Sequence, residues 1–208
     1  MAHRTVGRMT DAMNRTAAPL ADGLVLGSDG RPRCAWGASA EEYVAYHDQE
    51  WGRAVRGDDA LFERMSLEAF QSGLSWITIL RKREAFRRAF DGFAITAVAR
   101  YAEADTARLL ADAGIVRNRM KIEATVHNAR VAAELSGGLA ALLWSFAPQP
   151  GRPRPATRAD VPATTVESTA MARELKRRGF RFVGPTTAYA LMQATGMVDD
   201  HLAGCHVR

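Results

Sequence analysis

Arg177-Arg178-Gly179-Phe180-Arg181-Phe182-Val183-Gly184-Pro185-Thr186-Thr187-Ala188 is the stretch on which the fold turns. Gly179 stops one helix, which Ser168 or Thr169 can cap and which runs through Arg178. A second helix follows Gly184, from about Thr186 to Met197. Two helices joined by a short Gly-containing turn are most often a corner of a bundle. Here Gly184 would also let backbone N–H groups at the start of the second helix approach an anion closely, and phosphate is the natural anion for such a cradle. Lys176, Arg177, Arg178 and Arg181 beside it suit a nucleic acid. The run Arg81, Lys82, Arg83, Arg87 and Arg88 reads first as a solvated helix face and second as a phosphate contact.

Upstream, the apolar period is helical over Glu41 to Gln49, Asp58 to Gln71, Ser75 to Phe90, Ile95 to Tyr101, Ala104 to Ala113 and Asn118 to Leu135. No alternating run of convincing length competes, so the expected fold is all-α, two helical blocks packed on each other. Pro148, Pro150, Pro153, Pro155 and Pro162, with Gly151, mark an extended connection between the blocks at about 147–165. Residues 1–33 show no sustained period and are read as a flexible arm, with the helical domain spanning 34–208.

The 208 residues, 47% hydrophobic and 25% charged, can bury one compact core. Ile77 to Leu80 is followed at once by Arg81, Lys82 and Arg83, so no membrane span is expected. A net charge of +5 permits a polyanionic partner without demanding one. Two cysteines do not make a disulfide-stapled secreted scaffold, and the N-terminus has no continuous apolar segment before a cleavage site. A reducing cytoplasm is the expected setting.

Cys34 and His47 lie near one end, His201 and Cys205 near the other. All four are zinc-ligand types, and positions four apart on a helix would turn His201 and Cys205 to one point. A tetrahedral site built this way would tie the chain ends together and leave no open position for catalysis. The competing reading is four unrelated core or surface residues, because so long an insertion is not a standard finger spacing.

Leu61, Met65 and Glu68 follow a +4, +3 spacing, which lays a carboxylate on a stripe that should face the core. Either Glu68 reaches solvent at a frayed helix end near Gly73, or it faces a pocket that supplies a cation or an amine donor. Trp36, Tyr46, Trp51 and Trp76 bracket it, in a chain with four Trp and four Tyr. Any one of these is core by default, but together, beside an acid, they suit a flat, electron-poor ligand such as a nucleobase. Between Glu68 and Trp76, a turn at Gly73 and Leu74 could protrude and fill a gap in a duplex, although a turn Leu more often caps a core.

Several strings in order give these features a common context: Arg33-Cys34-Ala35-Trp36, Ala45-Tyr46-His47-Asp48-Gln49-Glu50-Trp51-Gly52, Leu67-Glu68, Gly73-Leu74-Ser75-Trp76-Ile77-Thr78 and Asp112-Ala113-Gly114-Ile115-Val116-Arg117. Trp144-Ser145-Phe146, Arg178-Gly179-Phe180-Arg181-Phe182-Val183-Gly184 and Asp200-His201-x3-Cys205 complete the set. Over about residues 34–206 the chain resembles the DNA-3-methyladenine glycosylase I family, also called the Tag family. The resemblance implies a helix-hairpin-helix DNA glycosylase fold with one structural zinc per chain on Cys34, His47, His201 and Cys205. It implies Glu68 and Tyr46 as catalytic, base-recognising partners, Trp76 as the stacking surface, and Trp36 and Trp51 lining or supporting the pocket.

The resemblance further implies hydrolysis of the N-glycosidic bond of 3-methyladenine in alkylated double-stranded DNA, initiating base excision repair and releasing free 3-methyladenine. Gly73, Leu74, Val183, Gly184 and Thr186 are the expected DNA contacts, and a monomer the expected form. The wider class often places a catalytic Asp two residues before the His that follows the hairpin, where this family commonly has Asn. That position here is Asp199, read as an ordinary helix-end residue in preference to a sugar-cation stabiliser. Bifunctional members use a hairpin Lys as nucleophile, and Thr186 stands at that place, so no strand cleavage is expected. The alternative function is a noncatalytic alkylated-DNA-binding module on the same scaffold.

Overall fold

A helix with apolar residues on every side must be surrounded, and Asp58–Gln71 is such a helix: Leu61, Phe62, Met65, Leu67 and Phe70 are each at most 2% exposed. The computed structural model describes residues 20–207. Among them the helices are α1 (Glu41–Gln49), α2 (Asp58–Gln71), α3 (Trp76–Ala89), α4 (Ile95–Val98), α5 (Glu103–Ala111), α6 (Arg119–Ala133), α7 (Gly138–Trp144), α8 (Val166–Arg177) and α9 (Pro185–Ala194). Helix α2 packs against α3, α4, α6, α7 and α9, and α8 lies on α9. Phe70 stacks in a tilted pair on Phe86 with ring centroids 4.6 Å apart, and the aromatic column continues through Phe90 and Phe93 at 5.2 Å. Glu68 is therefore carried by the central helix of the core and is not at a frayed end.

The expected helices are present with small shifts. Helix α8 starts earlier than Ser168 or Thr169, because Thr165 is the cap: its hydroxyl accepts from the Ser168 N–H while Ser168 Oγ accepts from the Thr165 N–H. Helix α9 ends at Ala194, three residues before Met197. Helix α7 is an addition that the period could not show. Gly138 to Trp144 is apolar throughout and follows a second glycine. Its first turn is held by Asp58, whose Oδ1 accepts from the Ala140 N–H at 2.7 Å. The 147–165 connection is largely extended, with one short helical turn at Arg158–Asp160.

The expectation of an unstructured arm over 1–33 does not hold for its described part, and residues 1–19 lie outside the described residues. Strand β1 (Leu24–Leu26) pairs antiparallel with β2 (Pro32–Cys34), Leu24 opposite Cys34, which adds a small hairpin to an otherwise helical fold. Strands of three residues are too short for an alternating pattern to be legible. What holds the hairpin is Arg33, 4% exposed, whose guanidinium donates to both Asp29 oxygens at 2.7 Å and to Asp48 Oδ2 at 2.7 Å. Burial alone would raise the Asp48 carboxyl, but the Arg33 and His47 hydrogen bonds outweigh it and hold it at about 2. Arg33→Ala leaves Asp48 without its counter-ion and is expected to cost ~2–3 kcal/mol, lowering Tm by roughly 5–10 °C. A melting curve coincident with that of the unaltered protein would show that the hairpin is not anchored this way.

Candidate active site

The hairpin, the second half of α1, the inward face of α2, the first turn of α3, α9, the 147–165 connection and the segment at Asp200 and Leu202 close around one cavity of about 650 Å³. Trp36, Tyr46, Trp51, Glu68 and Trp76 all line it. Trp36 sits on a short helical turn at Ala35–Ala38 and meets Trp51 edge-on at 4.9 Å, and Tyr46 leans on Trp76 at 5.4 Å. Trp76 is the first residue of α3, placed four residues past Ser72, which caps the C-terminus of α2. Its indole N–H is buried and has no partner among the described residues.

Glu68 is 6% exposed, and burial raises its carboxyl from the ordinary 4.5 to about 8, with the charge of Arg64 opposing only in part. Arg64 is already engaged, donating to Glu50 Oε2 at 2.7 Å, and Arg83 donates to the same carboxylate. Among the described residues no hydrogen bond reaches the Glu68 side chain. Burial, with the Glu68 carboxylate adding to it, also raises the Tyr46 phenol, which remains a neutral donor and acceptor. An unpartnered acid between aromatic rings is an acceptor waiting for an amine or a cation.

Gln71, Gln193 and Asp200 line the same cavity, and the sequence assigned none of them a role, although Asp200 stands in the Asp200-His201-x3-Cys205 string. Gln71 follows Glu68 by three residues on one helix face, a spacing that would have found it. Asp200 is 3% exposed and accepts from the Tyr189 hydroxyl at 2.5 Å and from Gln193 Nε2 at 2.9 Å. Asp199 points elsewhere. Its Oδ1 accepts from the His201 N–H and lies 2.9 Å from His201 Nδ1, while Arg154 donates to Oδ2 at 2.7 Å. It is exposed, as read from sequence, but it lies in turns beyond α9 and not at a helix end, and it orients the His201 ring.

Behind the cavity wall, Cys34 Sγ, His47 and Cys205 Sγ bring one donor atom each within 4.8 Å of one another, all buried. Cys205 Sγ lies 3.6 Å from His47 Nε2. His201 borders them, its ring centroid 4.8 Å from that of His47 and its Nε2 3.3 Å from the His47 carbonyl. His201 and Cys205 do not share a helix, since the segment after Ala194 runs in turns, so their convergence comes from chain reversal and not from helical spacing. The donor set fits a soft dication. Asp48 takes the Nδ1 atom of His47 and leaves its Nε2 facing the sulfurs, Asp199 takes the Nδ1 atom of His201, whose Nε2 lies against the His47 carbonyl at the edge of the cluster, and the Leu202 N–H points at Cys34 Sγ from 3.4 Å. The neighbouring sulfurs resist carrying two negative charges: the Cys205 sulfur and burial push the Cys34 thiol up, while the hydrogen bond from Cys34 pulls the Cys205 thiol down. A side chain at Gly37 would collide with the His47 ring, which explains glycine there.

Of the expected DNA contacts, Gly73 and Leu74 form the α2–α3 connection. Gly73 has φ +82°, a left-handed backbone that favours glycine, and Leu74 is 41% exposed at the surface. Val183 is buried against the core, whereas Gly184 caps α9 and Thr186 is exposed in its first turn. Among the described residues, nothing beyond its chain neighbours lies within 4 Å of where a Gly184 side chain would start, so internal packing does not require the glycine. Val183 thus supports the turn from below, with Gly184 half-buried and Thr186 exposed above it.

A helical scaffold that buries an aromatic slot around one unpaired carboxylate, beside a helical corner with an open glycine at its turn, defines a class of proteins that hold a flat, amine-bearing base. The family model for methyladenine glycosylase matches residues 36–208, and the chain belongs to that family. It is 44% identical over 177 residues to DNA-3-methyladenine glycosylase 1 of Escherichia coli (strain K12), covering 83% of this chain and 95% of that protein. The crystal structure of a 3-methyladenine DNA glycosylase I (TAG) superposes with TM-score 0.80 at 43% identity, over 84% of this chain and 98% of that one. A variant of 3-methyladenine DNA glycosylase I solved in complex with 3-methyladenine superposes with TM-score 0.78 at 34% identity, over 84% and 96%.

Proposed function

We propose that this chain is a monofunctional DNA glycosylase that hydrolyses the N-glycosidic bond of 3-methyladenine in alkylated duplex DNA, gripping the duplex through the α8–α9 helix-hairpin-helix and carrying one structural zinc. The observation that carries this reading is that Glu68, Tyr46 and Trp76 border one cavity. Family membership and the similarity to a glycosylase solved with 3-methyladenine support it.

The chemistry asks little of an acid. Methylation at N3 makes the adenine cationic, so when the C1′–N9 bond breaks its electron pair neutralises the departing base. A water oxygen then bonds to C1′ and releases its proton. The protein must extract the nucleotide, which costs a few kcal/mol of unstacking and less for a damaged base. Stacking on Trp76 offsets part of that cost. The Glu68 carboxylate accepts from the exocyclic amine and favours the cationic base electrostatically, Tyr46 completes the polar edge, and Trp36 and Trp51 wall the slot. Cys34, His47, His201 and Cys205 would hold the zinc, which supplies cross-linking of the two chain ends and, with four protein ligands, no open position for water.

Release of free 3-methyladenine from methylated duplex DNA, with 7-methylguanine followed in parallel, tests the assignment. Absence of any released base in a folded, DNA-binding sample would leave the noncatalytic module in its place. Because Thr186 has no amine to form a Schiff base, treated duplex is expected to stay unnicked until alkali or heat is applied. Nicked strands in the untreated reaction would contradict the monofunctional assignment.

A further inference from the structure

One side of α6 reaches two surface loops, the α2–α3 connection and the α8–α9 turn. Lys121 is 8% exposed, and its ammonium donates to the Phe70 carbonyl at 2.9 Å and to the Ser72 carbonyl at 2.6 Å. No carboxylate pairs with it among the described residues, and burial lowers its pKa. It closes the C-terminus of α2, whose unsatisfied carbonyls and negative dipole end attract a cation. The loop it fixes carries Leu74 at its tip and joins Glu68 to Trp76.

Seven residues further along α6, Asn128 is 4% exposed and grips the α8–α9 turn twice, accepting from the Arg181 N–H at 2.8 Å and donating to the Arg181 carbonyl at 3.0 Å. His127 Nε2 adds a contact to the Gly179 carbonyl at 2.9 Å. That turn exposes Phe182, held at φ +56°. Seven residues are two helical turns, so both anchors lie on one stripe about 10.5 Å apart, comparable with about three base steps of one strand.

We infer that Lys121 and Asn128 are positioning residues which hold the Gly73–Leu74 loop and the Phe182–Gly184 turn at a fixed spacing, so that both engage one duplex around a single extruded base. This rests on the reading of those loops as DNA contacts. Neither side chain touches DNA: Lys121 acts through the backbone of α2's last turn, Asn128 through the backbone of Arg181. A loose loop would still leave Glu68 and Trp76 to bind a free base, because those residues stand on α2 and α3.

Lys121→Met and Asn128→Ser separate the two steps. In each, kcat/KM for 3-methyladenine release from methylated duplex should fall about tenfold or more, with the loss mostly in KM, while affinity for free 3-methyladenine stays within about twofold of the unaltered protein. Duplex excision at the unaltered rate overturns the inference. So does a loss of free-base affinity that matches the loss of excision, which would make these residues supports of the pocket alone. If Lys121→Met does not fold, Asn128→Ser decides the question from the other end of the helix. Failure of the unaltered protein to release any base would sink the glycosylase reading, whereas turnover by the unaltered protein with indifferent variants sinks only the positioning role.

Discussion

Glu68→Gln is expected to lower excision of 3-methyladenine by roughly 10–150-fold, the equivalent of ~1.5–3 kcal/mol for a charged hydrogen bond replaced by a neutral one. The amide keeps the shape of the slot and loses the charge, so stacking on Trp76 survives while attraction for a cationic base does not. A pH signature accompanies the loss. Burial sets Glu68 at about 8 in the free protein, so kcat/KM should rise with pH through that region and level off above it. A bound cationic nucleotide favours the ionised acid, which moves the corresponding limb of kcat to lower pH. The Gln variant should show neither limb.

Stability should move the other way. Below the ordinary 4.5 Glu68 is protonated in both folded and unfolded chains, but between 4.5 and about 8 the folded chain binds the extra proton. Folding stability therefore falls as pH rises through that window and stays low above it. Glu68→Gln removes the penalty, so at pH above 8 the variant should melt higher, by about 2–4 °C for each kcal/mol recovered. Undiminished excision in a folded variant, or a lower Tm at that pH, would remove Glu68 from the site.

Much of this site could be read before any coordinates because its residues are tied by local spacing. Glu68 sits at a core position of α2 by the same count that places Leu61 and Met65, and the bounds of α1 and α2 follow from period and charge. Features that depend on distant partners were hidden. Asp200 is a cavity residue because Tyr189 and Gln193 reach it from α9, and no interval along the chain encodes that meeting. The hairpin at β1 and β2 owes its order to Arg33 contacting Asp48, fifteen residues away, so low periodicity there was no guide to disorder. Helix α7 was hidden for the opposite reason, since uniform apolarity carries no phase. Of the four side chains proposed to hold zinc, Cys34, His47 and Cys205 meet in one buried cluster, but the helical geometry expected for His201 and Cys205 was replaced by turns that bring Cys205 to His47 from the far end of the chain.

That long closure makes removal of the proposed zinc the second large effect expected. Cys34 and Cys205 bound a segment of about 170 residues, and cross-linking a loop of that length is worth ~5 kcal/mol by chain entropy alone, before any bond to the ligands is counted. Stripping the protein with a strong chelator, or Cys205→Ser, should thus lower Tm by roughly 10 °C or more. Excision should fall in step with helical content, because the cavity shares Cys34 with the cluster, and Trp36 and Trp51 pack on the histidine rings at 5.2 Å and 4.7 Å. Re-adding zinc should restore both together. A stripped sample that keeps its full helical signal and melting temperature but loses excision would show the metal to act in the reaction, and one that keeps all three would show the four side chains to be an ordinary buried cluster.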